Sequence, residues 1–196
     1  MTTTTDNAKG ANISFLSKDS AIVLNDKPFY INIVVERKNR VFTNKFDDTI
    51  YWLWKDNTNT WNLKSANCTS KAGLYYAQNP LSSLGTGILK TGYYKGSHKL
   101  GYHKGKYVAL VQNKELPVWR DNDKDDWIDY VKEEEGWFGI NIHRANPSIE
   151  SINVDKWSAA CIVFSNPKAF TTFIKQCQKH ESIYGNSFDL NLINKL

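Results

Sequence analysis

His143 and Cys161 stand 18 positions apart in a chain that otherwise offers little nucleophilic chemistry. The histidine follows the apolar run Phe138-Gly139-Ile140-Asn141-Ile142, and the cysteine opens the run Cys161-Ile162-Val163-Phe164. If these runs are neighbouring strands, both side chains come to one end of a sheet. A thiol beside an imidazole can pass its proton over and become the thiolate that attacks carbonyl carbon. The small residues Ser158, Ala159 and Ala160 before the cysteine let backbone N–H groups approach a developing oxyanion. The competing reading is a packed core thiol, because free cysteines are among the most buried residues.

The remaining candidates are weaker. His98 and His103 form an H-x4-H pair that, with His143, could suggest zinc, but no helix places both on one face, so no metal is expected. Asp121, Asp123, Asp125 and Asp129 follow the steps of an EF-hand loop, with Asp126 where that loop has glycine and Lys132 where it has glutamate. A solvated acidic turn is the preferred reading there, calcium the alternative. Cys68 and Cys177 read as core or surface thiols, and an odd count of three cysteines without a CxxC argues against a disulfide framework. His180 is expected to face solvent near a helix end, where its charge suits the helix dipole.

The elements that must position these residues are mostly strands. The chain has 196 residues, 41% hydrophobic, 23% charged and 13% aromatic, which suits one globular core and excludes a disordered chain. Strand-like segments appear at 29–36, 51–54, 61–63, 74–76, 87–89, 107–111, 118–119 and 138–142, separated by Gly, Asn and Pro. Only one helix is convincing: Ser165-Asn166-Pro167 caps a run in which Phe170, Phe173, Ile174 and Cys177 recur at helical steps, and Gly185 stops it. Phe188, Leu190 and Leu192 then alternate as a final strand. The expectation is a mainly β single domain with a C-terminal helix, a sandwich or barrel of α+β class, over residues 29–196 after a flexible N-terminal arm at 1–28.

A net charge of +5 and a pI near 9.0 come from basic residues interleaved with acidic ones, so no nucleic-acid footprint is evident. A weakly cationic surface suits a polyanion such as a carboxylate-rich wall polymer. Mean hydropathy is −0.52, and no apolar run approaches the roughly 18 residues of a membrane span. The opening Met1-Thr2-Thr3-Thr4-Thr5 lacks the pattern of a secretory signal.

His143, the step to cysteine and the Ser-x-x-Cys of Ser158 to Cys161 resemble the L,D-transpeptidase catalytic domain, whose pattern is a histidine followed at similar distance by Ser/Thr-His-Gly-Cys. The closer likeness is to a branch from phages and gut bacteria that reads Phe-Gly-Ile-Asn-Ile-His-Arg, a loop, then Trp-Ser-Ala-Gly-Cys-Gln-Val. Residues 138–144 repeat the first block unchanged, and Trp157-Ser158-Ala159-Ala160-Cys161-Ile162-Val163 follows the second. Blocks at 85–89, 101–112, 120–123 and 184–188 extend the resemblance from about residue 29 to the end.

The resemblance implies an L,D-transpeptidase-like β domain without cofactor, in which Cys161 is the nucleophile, His143 its general base, and Ser158 a hydroxyl that helps orient the imidazole. It implies that Ala160 and Trp157 border the substrate and that Ala160 and Cys161 offer N–H groups to the oxyanion. Arg144 is the candidate to grip a stem carboxylate. The implied partner is the peptidoglycan stem peptide, together with virion proteins for a phage-borne enzyme. The implied place is the virion or host cell envelope, otherwise the cytoplasm. Two positions depart from the family: its glycine before the nucleophile is Ala160, and Val163 replaces the Arg or Asn that many members keep. If that glycine needs positive φ, alanine costs on the order of 1 kcal/mol. The alternative is therefore a catalytically weakened virion or wall-binding protein that keeps the fold.

Overall fold

The protein is described from a computed structural model covering residues 13–17 and 21–195. The eight strands of a closed barrel are β1 (Asn32–Arg37), β2 (Asp48–Lys55), β3 (Trp61–Thr69), β5 (Gly92–His103), β6 (Tyr107–Gln112), β9 (Ile142–Arg144), β10 (Ile162–Phe164) and β11 (Phe188–Asn194). Around the barrel they run β1-β11-β5-β6-β9-β10-β3-β2. A separate antiparallel sheet of three strands joins β4 (Thr86–Leu89), β7 (Leu116–Asp121) and β8 (Lys132–Gly136) in the order β4-β7-β8. The helices are α1 (Ser14–Ser17), α2 (Leu74–Gln78) and α3 (Pro167–Tyr184). The mainly β expectation with one substantial C-terminal helix is met, and closure of the barrel leaves it no unpaired edge.

The pattern of side chains explains the pairing. β1 lies between β2 and β11, is covered on both faces, and is buried along its whole length. β2 and β3 pair over eight registers, from Asp48 opposite Cys68 to Lys55 opposite Trp61. The Asp56 carboxylate accepts from the N–H groups of Thr58 and Thr60 and so closes their turn. α3 begins as its sequence directs: the Asn166 side chain accepts from Lys168 N at 2.9 Å and Ala169 N at 3.2 Å, with Pro167 in the first turn. Its Phe170, Phe173 and Cys177 enter the main core, where Phe173 meets Trp52 and Phe164 edge-on or tilted.

Several expectations change. Residues 74–76 belong to helix α2, not a strand. The long strand β5 and the charged strand β8 lie where no strand was expected. Of the expected strand at 138–142 only Ile142 is in β9, and residues 138–141 run outside it. The expected arm reaches into the fold: Leu16 is 1% exposed in a cluster with Val34 and Leu53, and the Val23 N–H donates to Asn191 Oδ1 at 2.8 Å. The part of that arm at residues 1–12 lies outside the described residues. His180 is 1% exposed instead of solvent-facing, because its ring fills the gap between α3 and the barrel against Tyr30 and Phe188. No helix among the described residues is long and apolar enough to cross a membrane.

Candidate active site

β9 and β10 are parallel neighbours, with Ile162 beside Ile142 and Val163 beside His143. The loop between them, residues 145–161, returns over the surface and is pinned at several points. Val154 N donates to Asn44 O, Gly73 N donates to Ser158 O, and Asn44 Oδ1 accepts from both Leu74 N and Asp155 N. Gly73 has to be glycine, since a Cβ there would stand 2.1 Å from the Asp155 carbonyl oxygen. The pinned loop delivers Cys161 to the wall of a cleft of about 440 Å³ that His143 also lines. Adjacent strands thus bring the histidine and the cysteine to the lining of one cleft.

The imidazole is oriented by its own strand. His143 Nδ1 lies 2.8 Å from the Arg144 carbonyl oxygen. A carbonyl only accepts, so Nδ1 carries the proton and Nε2 keeps the basic lone pair. The Tyr107 hydroxyl donates to the same carbonyl at 3.1 Å and stands 3.3 Å from Nδ1. Burial, reinforced by the neighbouring His103 ring and by the charges of Lys104 and Arg144, pushes His143 down to about 3, against the pull of its bond to the Arg144 carbonyl.

The thiol is held by backbone. Cys161 Sγ donates to Gly139 O at 3.3 Å and accepts from Asn141 N at 3.5 Å. Burial pushes the thiol up, while the Asn141 N–H and the charge of Lys104 pull the other way. No hydrogen bond joins His143 to Cys161 among the described residues, and the two shifts favour a thiol and a neutral imidazole at rest. Gln112 builds the segment that carries these thiol contacts. Its Oε1 accepts from Phe138 N and Ile140 N, and its Nε2 donates to Lys114 O and Gly136 O. Gly139, with φ 69°, turns within that clamp.

Other expected site residues are placed differently. Ser158 is buried and its hydroxyl donates to the Cys161 carbonyl at 2.8 Å, so it fixes the backbone of the thiol residue and not the imidazole. Arg144 does not line the cleft; its guanidinium lies 4.1 Å from the centre of the Tyr107 ring and donates to Ala145 O. The cations that do line the cleft are Lys104, Lys156 and Arg120, and Arg120 is paired with Glu134 at 2.7 Å. Ala160 and Trp157 line it. Ala160 is not among the residues with positive φ, so the anticipated backbone strain is absent, and its methyl faces the open side of Gly87.

Sequence reasoning missed His103, Tyr107, Gln112 and Asn141 as members of the site. Tyr107 and Gln112 end β6, and the register that sets His103 opposite Tyr107 brings His103 to the cleft. His98, five positions earlier on β5, falls on the other face, where its Nε2 meets the Ile140 carbonyl. The H-x4-H pair is thus split. In the acidic turn, Asp123 and Asp125 accept from backbone N–H groups two residues on, and Asp121 accepts from Asp129 N at 2.8 Å. No family model matches the chain, and neither a curated protein nor a solved structure does.

Proposed function

We propose that the protein is a cysteine acyl-transfer enzyme of L,D-transpeptidase type that opens peptidoglycan stem peptides. The observation that carries this reading is the shared cleft of Cys161 and His143, with the imidazole tautomer set so that Nε2 is the base. In the proposed reaction Nε2 takes the Sγ proton as sulfur bonds to the carbonyl carbon of the amide after the diamino acid. The C–N bond breaks, and the imidazolium gives its proton to the leaving amine. Water or an amine then attacks the thioester, losing a proton to Nε2, and the acyl group leaves sulfur, which recovers its proton from the imidazolium. The N–H groups of Ala160 and Cys161 are the proposed oxyanion donors. Lys104 and Lys156 replace Arg144 as candidates for a substrate carboxylate, because they line the cleft and Arg144 does not. The expected setting is a phage-borne, endolysin-like protein acting from the virion or at the host cell envelope.

A second reading has its own support. The thiol proton points to Gly139 O, and both groups rest uncharged. That arrangement also suits a wall-binding or virion protein that keeps the fold without turnover. Digestion of purified peptidoglycan, analysed by mass spectrometry, separates the two. Wild type is expected to release new stem-peptide ends and Cys161→Ala none. Equal digestion by both overturns the cysteine mechanism, and co-sedimentation with intact peptidoglycan without products selects the binding protein.

A further inference from the structure

His103 and His143 stack face to face in the cleft, with ring centroids 3.9 Å apart and planes 20° from parallel. The two rings arrive from different elements. β9 supplies His143, and the end of β5 supplies His103 just before a tight turn in which Lys104 and Gly105 both have positive φ. Like His143, His103 has its tautomer fixed. Its Nδ1 lies 3.1 Å from Asn141 Nδ2, and the orientation of that amide is set by Asn141 Oδ1 accepting from Gln112 N at 3.0 Å. An amide nitrogen donates, so Nδ1 of His103 accepts and its proton is on Nε2.

Resting on the cysteine acyl-transfer reading above, we infer that His103 is a positioning residue that must be uncharged for His143 to accept the thiol proton. The stacked ring fixes the plane of His143, so that Nε2 stays aimed into the cleft. Its charge state then decides what His143 can do. Protonating His103 turns its Nδ1 into a donor facing the donor Asn141 Nδ2, which breaks that contact. It also sets a positive charge one ring-spacing from the imidazolium that acylation must form.

Among the described residues, the charges that act on the two rings add to such a charge and do not offset it. From the β5–β6 turn the neighbour is Lys104, from β9 it is Arg144, and from β6 the uncharged Tyr107, whose ring is 5.6 Å from that of His103. Across the cleft stand the Cys161 thiol, Lys156, and Arg120 with its partner Glu134. Among the described residues no carboxylate lines the cleft itself. Two stacked imidazolium rings repel each other strongly, so a proton taken up by His103 on acidification silences the base without residing on it.

The test combines histidine NMR titration with the rate at which a peptide thioester acylates Cys161, read by intact mass, in wild type, His103→Phe and His103→Ala. Wild-type acylation is expected to fall as the His103 signals titrate, while those of His143 still report a neutral ring. In His103→Phe, which keeps a flat ring without a proton site, the His143 titration is expected to move to higher pH, and the acid limb of acylation to follow it. His103→Ala, which removes the ring, is expected to lower the plateau rate about tenfold more than His103→Phe, through loss of orientation. Wild-type acylation that stays flat through the His103 titration overturns the inference, as does a His143 titration unmoved in His103→Phe. If wild-type Cys161 is never acylated, the acyl-transfer reading has failed. The NMR arm then still decides whether the two rings are coupled as described.

Discussion

His143 and His180 are both nearly sealed from solvent, yet they do opposite things with their nitrogens. At the α3–barrel junction, His180 Nδ1 accepts from Ile31 N at 3.2 Å and Nε2 meets the Ser187 carbonyl at 3.2 Å, so both nitrogens are committed to backbone. In the cleft, His143 commits only Nδ1 among the described residues. The cysteines divide the same way. Cys68 and Cys177 are fully buried in the main core, and their thiols are pushed well above the ordinary range by burial. Cys161 is half-buried, meets two polar backbone groups and faces the cleft. Burial alone therefore does not separate the groups packed in the core from those proposed to react. An unspent lone pair or an accessible sulfur does.

The sharpest way to break this comparison is to exchange the roles. Cys161→Ala and His143→Ala are each expected to lower acylation or turnover by at least about a thousandfold, with the double variant hardly worse, as for residues that act as a unit. Cys68→Ala and Cys177→Ala should retain turnover and lose on the order of 1 kcal/mol of stability, the worth of a small buried apolar group. Single-turnover acylation and thermal melts on the same samples decide it. Full activity in Cys161→Ala removes the distinction.

His180→Ala is the next largest effect, and it falls on stability. It leaves Ile31 N and the Ser187 carbonyl without their partner and removes a ring packed on Tyr30 and Phe188. The expected loss is about 2–4 kcal/mol in urea unfolding, with acylation per folded molecule unchanged. A loss of acylation without a loss of stability would place His180 in the chemistry after all.

How much of this was legible depends on whether local pattern or long-range register carries the information. The cap at Asn166, the apolar steps of α3 and the strand segments at 51–54 and 61–63 are written in short windows, and sequence reading finds them. The His143–Cys161 meeting is nearly as local, because two apolar runs joined by a loop suffice. β5 is hidden by Gly92, Gly96 and Gly101, and Gly96, with φ 62°, lies beside the register shift against β11. β8 reads Lys-Glu-Glu-Glu-Gly and is drawn into a strand by pairing with β7, supported by Arg120 on Glu134 and Lys90 on Glu133. Leu74-Tyr75-Tyr76 has strand-forming residues but too few of them, and Gly73 and Asn79 bound a short helix instead. His103 enters the site only through the β5–β6 register, 40 residues before His143, and no spacing rule reaches that far.

The acidic turn supplies a third test, of modest size, because its charge is set against the fold and not used by it. Burial, with Asp123, Asp129 and Asp125 nearby, pushes Asp121 up to about 6, against the hydrogen bond from Asp129 N. A carboxyl raised in the folded state holds its proton more tightly there than in the unfolded chain. Its stabilising contribution is therefore full in acid, below the ordinary carboxylate range, and is lost as pH rises through about 6. Asp121→Asn keeps an acceptor for Asp129 N without the charge. It should raise the melting temperature at neutral and higher pH, and the difference from wild type should vanish in acid. A lowered melting temperature at neutral pH, reproduced in wild type by a chelator, would instead mean that the turn holds calcium.

The smallest expected effect is at Ala160, although the sequence makes that position look decisive. Read from sequence, an alanine where the resembling family has glycine suggests a strained and crowded enzyme that Ala160→Gly would speed up. The structure removes half of that argument, since Ala160 has no positive φ to relieve. The other half is the methyl, and it sits over Gly87, 3.9 Å from where a Cβ on that glycine would lie. Two neighbouring cleft-lining positions thus share the room between them, with alanine at one and glycine at the other. Ala160→Gly is then expected to change acylation of Cys161 by less than about threefold, well short of the roughly hundredfold that follows loss of an oxyanion donor, and to lower stability by up to about 1 kcal/mol through a floppier unfolded chain. Gly87→Ala is the harsher partner, because its added carbon also meets Arg120 Nη1 at 3.3 Å. Acylation rates of the two variants, measured with one activated peptide, order the pair. A tenfold or greater gain in Ala160→Gly would show that the methyl, and not the resting neutrality of His143 and Cys161, limits the enzyme.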